Sequence, residues 1–280
     1  MLTRVITSLV ALCVLIPVLF LSETWVLPIA VAIACLIANC ESLKCIGSIS
    51  KPILSVGLLA VSAAAPIIVR LTENIAQYCI ILACIILAEV LYLLAVLVFS
   101  KGKLKIEEIS ISAFMSFYIT VGFSAIVILH DFFESGHYTY LLIFVGAWIT
   151  DVFAYFCGRL FGKHKLIPEV SPKKTVEGSI GGTLFAGGSF VLFGYIVESL
   201  GYPIENGYVQ LFVFGIVAAL VAQIGDLCMS ALKRHYGIKD FGKIFPGHGG
   251  MLDRFDSILA VSIALCAICM FANITHITLL

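Results

Sequence analysis

"KRHYGIKDFGKIFPGHGGMLDRFDS", Lys233 to Ser257, gathers eight charged residues: Lys233, Arg234, Lys239, Asp240, Lys243, Asp253, Arg254 and Asp256. Only 12% of the 280 residues are charged and 61% are hydrophobic. A soluble domain has about 45–50% apolar and about 25% charged residues. Apolar sequence lies on both sides of the stretch, and runs of about 20 apolar residues recur along the chain, as spanning helices require. A charged island between two such runs reads as a loop at a membrane surface. Lipid offers backbone amides no partner, so each run is expected to be a helix. The expected fold is an all-α integral membrane protein.

Working outward, the runs place about nine transmembrane helices, at 5–22, 25–40, 52–70, 75–99, 108–130, 138–157, 179–198, 208–230 and 257–278. With that count, sixteen of the seventeen Lys and Arg fall on one side and only Arg70 on the other. Basic loops stay in the cytoplasm. The expectation is an N-terminus in the cytoplasm, a C-terminus outside and a multi-pass location in the cell (inner or plasma) membrane. Residues 1–135 form an N-terminal part with helices one to five. Residues 136–280 form a catalytic part with helices six to nine and two long cytoplasmic loops, 158–178 and 231–256. The opening 22 residues resemble a secretion signal, but "VLFLSETW" offers no small-residue cleavage site, so an uncleaved first span is expected. Most of the ten cysteines lie in apolar runs; Cys266 and Cys269 form a single CxxC inside the last span, and they read as packing thiols.

Lys44, Lys51, Lys101, Lys103 and Lys105 need no role beyond orienting the chain, or drawing anionic lipid headgroups. The two long loops differ, because they mix bases with carboxylates, glycines, prolines and a histidine. Asp226 lies inside an apolar helix, where an ionisable group is costly and signals function. Asp253 and Asp256 open the last span three residues apart, on one helical face. Asp256 could equally be a helix cap. Asp151 could join them or simply pair with a base. Carboxylates from two helices, without clustered His or Cys, suit Mg²⁺, which takes one or two carboxylates plus phosphate oxygens. Asp226, Ser230 and Lys233 form one helical stripe leading out of the membrane, followed by Arg234. The other loop contributes Arg159, Lys173 and Lys174. Bases and Mg²⁺ together suit a polyanionic substrate at a membrane surface. "EGSIGGT" and "PGHGG" each precede a span and could offer backbone amides to an anion, or serve helix entry and close packing. His248 could contact phosphate, donate a proton to a leaving group, or be structural. The set favours phosphoryl or nucleotidyl transfer at a metal.

The segment Ser230–Ser257 closely resembles the signature of phosphatidate cytidylyltransferases (CDP-diacylglycerol synthases). It supplies Ser230, Lys233, Arg234, Lys239, Asp240, Pro246, His248, Gly249, Gly250, Asp253, Arg254 and Asp256. "QIGDLCMS" and Asp151–Gly182 resemble the same family, and spans one to five resemble it only in length and hydropathy. The resemblance implies that CTP and phosphatidic acid give CDP-diacylglycerol and pyrophosphate at a metal site near the cytoplasmic face. It implies Asp226 and Asp253 as the main metal ligands, with Asp256 assisting. It implies that Lys173, Lys174, Lys233, Arg234 and Lys239 bind the phosphates of CTP or lipid, and that His248 and Arg254 complete the nucleotide pocket. Mg²⁺, with room for a second, monovalent cation, is the expected cofactor. CTP and phosphatidic acid are the expected partners, a homodimer stands open, and no nucleic acid is expected.

Two rival readings remain. A transporter or channel would place functional charges at mid-depth and show repeat symmetry. Here the charges cluster at one face, apart from Glu89, and no repeat is visible. Another membrane enzyme of nucleotide or lipid phosphate, such as a polyprenol kinase, would differ in nucleotide choice.

Overall fold

The computed structural model describes residues 2–133, 136–201 and 207–274. In chain order the helices are α1 (Leu2–Phe20), α2 (Val26–Ile46), α3 (Pro52–Leu71), α4 (Ile75–Phe99), α5 (Ile106–Asp131), the single turn α6 (Gly136–Thr139), α7 (Leu141–Phe161), α8 (Val176–Ser199), α9 (Gly207–His235) and α10 (Leu252–Ile274). Between α7 and α8 lie two short strands, β1 (Lys165–Ile167) and β2 (Ser171–Thr175), paired antiparallel. Among the described residues, eight helices are long and apolar enough to cross a membrane, as in a multi-pass membrane protein. The apolar stretch Leu9–Phe20 of α1, where a ninth span was expected, is shorter. The helices outrun the apolar runs: α7 extends to Phe161, α9 to His235, and α10 begins at Leu252 rather than 257. Hydropathy marks where lipid begins, whereas a helix continues as long as its amides find partners.

The chain forms two compact units. One contains residues up to Val127 together with Tyr236–Arg254. Here Leu43, Leu54, Leu58, Val96, Leu104 and Ile109 form a buried cluster. Helix α2 stops at Gly47, whose φ of +89° is a left-handed cap that a side chain would strain. Gly57 of α3 leaves room for the Tyr92 ring of α4; the Tyr92 hydroxyl donates to Ile53 O (2.6 Å) and accepts from Gly57 N–H (3.3 Å). Polar side chains tie α2, α3 and α5 together: the hydroxyls of Ser62 and Thr120 lie 3.2 Å apart, and Asn39 Nδ2 donates to Thr120 Oγ1 (3.5 Å). Lys51, expected only to orient the chain, is ion-paired with Glu108, which also accepts from Ser48 Oγ (3.0 Å).

The other unit contains Ile128–His235 and the residues from Phe255 on. Its centre is the close packing of α8 between α7 and α9. A Cβ added at Gly178 would lie 2.5 Å from Ala154 O, and one at Gly182 would lie 2.7 Å from Thr150 O, both on α7. On the α9 side, a Cβ at Gly215 would lie 2.7 Å from the Gly187 Cα. The glycines of "EGSIGGT" therefore let backbones touch, as small residues do between membrane helices. Later residues of α8 meet earlier residues of both α7 and α9, so α8 runs antiparallel to each and α7 and α9 are parallel. Gln223 of α9 donates to Thr183 Oγ1 of α8 (3.0 Å), next to the Gly182–Thr150 contact, which sets α7 and α9 in register.

Candidate active site

That register places two carboxylates at one level. Asp151 lies ten residues before the end of α7 and Asp226 nine before the end of α9, so each is about 14–15 Å from its helix terminus. Asp151 is thus well inside its helix. Asp226 is ion-paired with Lys174 of β2, and its Oδ1 accepts from Ser230 Oγ at 3.4 Å. The Lys174 Nζ is shielded from solvent. Asp256, in the second turn of α10, is acted on by the charges of Asp226, Asp151 and Lys233. Next to it, Ser257 Oγ donates to Asp151 Oδ2 (3.5 Å). Lys233 is 8% exposed.

Three carboxyl groups from α7, α9 and α10 thus share one region with the ammonium groups of Lys174 and Lys233. Carboxylates gathered in one region repel unless cations lie among them. The donors are oxygens only, which is what a hard cation such as Mg²⁺ takes. The Lys174 ammonium already occupies a cation position on Asp226. The strand pair that carries Lys174 is anchored where Thr175 caps α8 by accepting from Gly178 N–H (3.2 Å), and where His164 Nδ1 meets Glu177 Oε1 at 2.7 Å. Lys173, Arg159 and Arg234 are exposed, and Arg159 donates to the Tyr155 hydroxyl (3.3 Å).

The remaining expected residues belong to the first unit. Asp253 opens α10; its Oδ2 accepts from the backbone N–H of Phe241 (2.8 Å) and of Gly250 (2.9 Å). His248 stands in a tight turn closed by Phe245 N–H to Gly249 O (2.9 Å) and His248 N–H to Phe245 O (2.8 Å). Gly247 and Gly249 make that turn in the left-handed region, at φ +80° and +88°. The His248 Nδ1 is buried without a hydrogen-bond partner among the described residues. Lys239 and Arg254 are exposed.

A residue the sequence did not single out sits beneath this loop. Glu41 of α2 is 4% exposed; its Oε1 accepts from Met251 N–H (3.0 Å) and its Oε2 from Leu252 N–H (2.9 Å). The glycines of "PGHGG" were read as either offering backbone amides to an anion or serving helix entry and close packing. The anion found there is the protein's own Glu41. The only sequence signal was an acidic residue close to the end of an apolar run.

The sequence model of the Cytidylyltransferase family matches residues 2–272. The chain belongs to the cytidylyltransferase family. It is therefore a nucleotidyltransferase, as its own motifs suggested. Proteins named "Phosphatidate cytidylyltransferase" are similar to it over most of their length. One from Staphylococcus haemolyticus (strain JCSC1435) is 35% identical over 261 residues, covering 92% of this chain and 95% of the relative. Another from Staphylococcus aureus (strain COL) is 34% identical over 265 residues, with the same coverage of each chain. A third from Bacillus subtilis (strain 168) is 40% identical over 177 residues, covering 63% of this chain and 64% of the relative. The family assignment leaves no place for the transporter reading.

Proposed function

We propose that the enzyme is a Mg²⁺-dependent phosphatidate cytidylyltransferase, making CDP-diacylglycerol and pyrophosphate from CTP and phosphatidic acid. The observation that carries this is the convergence of Asp151, Asp226 and Asp256, from three helices fit to span a membrane, with Lys233 of α9 and Lys174 of the β2 strand. A purely structural membrane protein has no use for so costly a group of charges. Near the bilayer surface, the same group can meet both a lipid phosphate and a soluble nucleotide.

A phosphatidate oxygen attacks the α-phosphorus of CTP, a new P–O bond forms, and the bond to the β-phosphate oxygen breaks. Two anions must approach, so catalysis is mostly positioning and charge neutralisation. Asp226, Asp253 and Asp256 would hold Mg²⁺, which would supply Lewis-acid neutralisation of the charge developing on the phosphates. The two N–H bonds to Asp253 do not disqualify it, since a carboxylate has two oxygens with about four lone-pair sites. Lys174 and Lys233 neutralise the phosphates. Lys173, Arg234, Lys239, Arg159 and Arg254 collect the triphosphate, and Ser230 steadies Asp226. His248 would protonate or bind the departing pyrophosphate. The site faces the cytoplasm, where CTP is, in agreement with the basic loops.

The test uses purified protein in detergent micelles with phosphatidic acid, Mg²⁺ and labelled nucleoside triphosphates. Label should enter lipid from CTP and not from ATP. Folded protein that transfers no label from any triphosphate would refute the assignment.

A further inference from the structure

We infer that Glu41 is a positioning residue of the cytidylyl-transfer site, holding the loop that carries His248 and Asp253; this rests on the function proposed above. The first amides of a helix have no partner within it. At α10, the two N–H groups of Met251 and Leu252 are both taken by one carboxylate from a helix 210 positions away in sequence. Charge-assisted bonds of this kind, on the positive end of a helix, are stronger than neutral ones.

The loop is built around that carboxylate. A Cβ at Gly242 or at Gly250 would overlap the Glu41 carboxyl group, so both positions leave space for it. Gly242 follows Phe241, and Gly250 is itself the second residue whose amide binds Asp253. Two carboxylates therefore grip one loop through four N–H groups, Asp253 taking one pair and Glu41 the other. The turn that presents His248 begins three residues after Gly242 and ends at Gly249. The hydrogen bonds of the Glu41 carboxylate go to Met251 and Leu252, not to a residue assigned to phosphate or metal, so it acts through the loop. A generic cap would need neither a buried acid on a distant helix nor two glycines hollowed to receive it.

Misplacing a reacting group by about 1 Å can cost about 100-fold in rate. In Glu41→Gln one oxygen still accepts, but the amide nitrogen is set against an N–H. The expected kcat falls about 10- to 100-fold, with KM for phosphatidic acid within about twofold. Hydrogen exchange at Met251 and Leu252 should quicken in the same protein. Gly242→Ala should reproduce the kcat loss by displacing Glu41. Once Glu41 is Ala that clash is gone, so Glu41→Ala/Gly242→Ala should equal Glu41→Ala, a non-additive cycle. Glu108→Gln, which breaks another carboxylate pairing of the same unit, should lower thermal stability and leave kcat alone.

Folded Glu41→Gln with wild-type kcat would overturn the inference, as would a double variant whose losses multiply. An equal kcat loss in Glu108→Gln would reduce Glu41 to a stability residue. If Glu41→Gln does not fold, Gly242→Ala decides, and wild-type kcat there overturns the inference. Wild-type protein that transfers nothing while Met251 and Leu252 stay protected would instead refute the proposed substrate and leave the Glu41 contact standing.

Discussion

Asp226→Asn separates a structural carboxylate from a catalytic one, because the structure gives Asp226 a partner whose fate can be followed. The change leaves the shielded ammonium of Lys174 without its counter-charge. The two side chains are 23% and 24% exposed, between a surface pair and a buried one. Breaking an exposed pair costs about 0–1 kcal/mol and stranding a buried charge about 3–5 kcal/mol, so about 1–3 kcal/mol is expected here. Activity should fall by more than that loss of stability explains, at least about 100-fold, since a charge facing the reacting phosphates is gone. The companion variant is Asp226→Asn/Lys174→Met, which removes the stranded ammonium and keeps its bulk. Thermal unfolding in detergent should return most of the way to wild type in the double variant, while transfer from CTP stays lost. Recovery of activity along with stability would refute the reasoning, because Asp226 would then serve only as the partner of Lys174.

Gly215→Val should destabilise the packing of α8 on α9 by about 1–3 kcal/mol or more, since its first carbon would meet the Gly187 Cα and the Ala186 carbonyl; an unchanged melting temperature in detergent would contradict that packing. Tyr92→Phe removes the hydroxyl that bonds to Ile53 O, Leu54 O and Gly57 N–H of α3 and should cost about 1–2 kcal/mol, read by the same melt, with kcat unchanged. Lys103 is exposed and has no role in the proposed site, so Lys103→Ala should leave transfer within about twofold of wild type; a large defect would show that the site extends further.

The sequence was informative where a residue conflicts with its immediate surroundings. Asp226 in an apolar helix is such a conflict, and so is the charge island at Lys233–Ser257. The helices themselves follow from the same local rule, because lipid dictates the backbone wherever apolar runs are long enough. Helix ends were less legible: Thr175 caps α8 with its hydroxyl and Glu41 caps α10 from α2, and neither partner leaves a mark in hydropathy. The role of the glycines in "EGSIGGT" was undecidable from sequence, since an anion-binding loop and a helix contact both require a missing Cβ. Only the approach of Ala154 O and Thr150 O decides it.

Glu41 and Asp226 show why burial alone does not separate site from scaffold. Both are acids in apolar helices, and both have their charge answered. Glu41 is answered by two backbone N–H groups, fixed donors that cannot leave, so its charge is spent on holding α10. Asp226 is answered by a lysine side chain on a two-stranded ribbon, a donor that can move to another anion when one arrives. A group meant to exchange partners during a reaction must be balanced by something mobile, whereas a group meant to hold geometry must not. On that criterion the proposed reaction would use the acid with the mobile counter-ion in its chemistry and the acid on the helix amides in its support. The same argument orders the variants: the Asp226 defect should survive every restoration of stability, and the Glu41 defect should track the position of the loop.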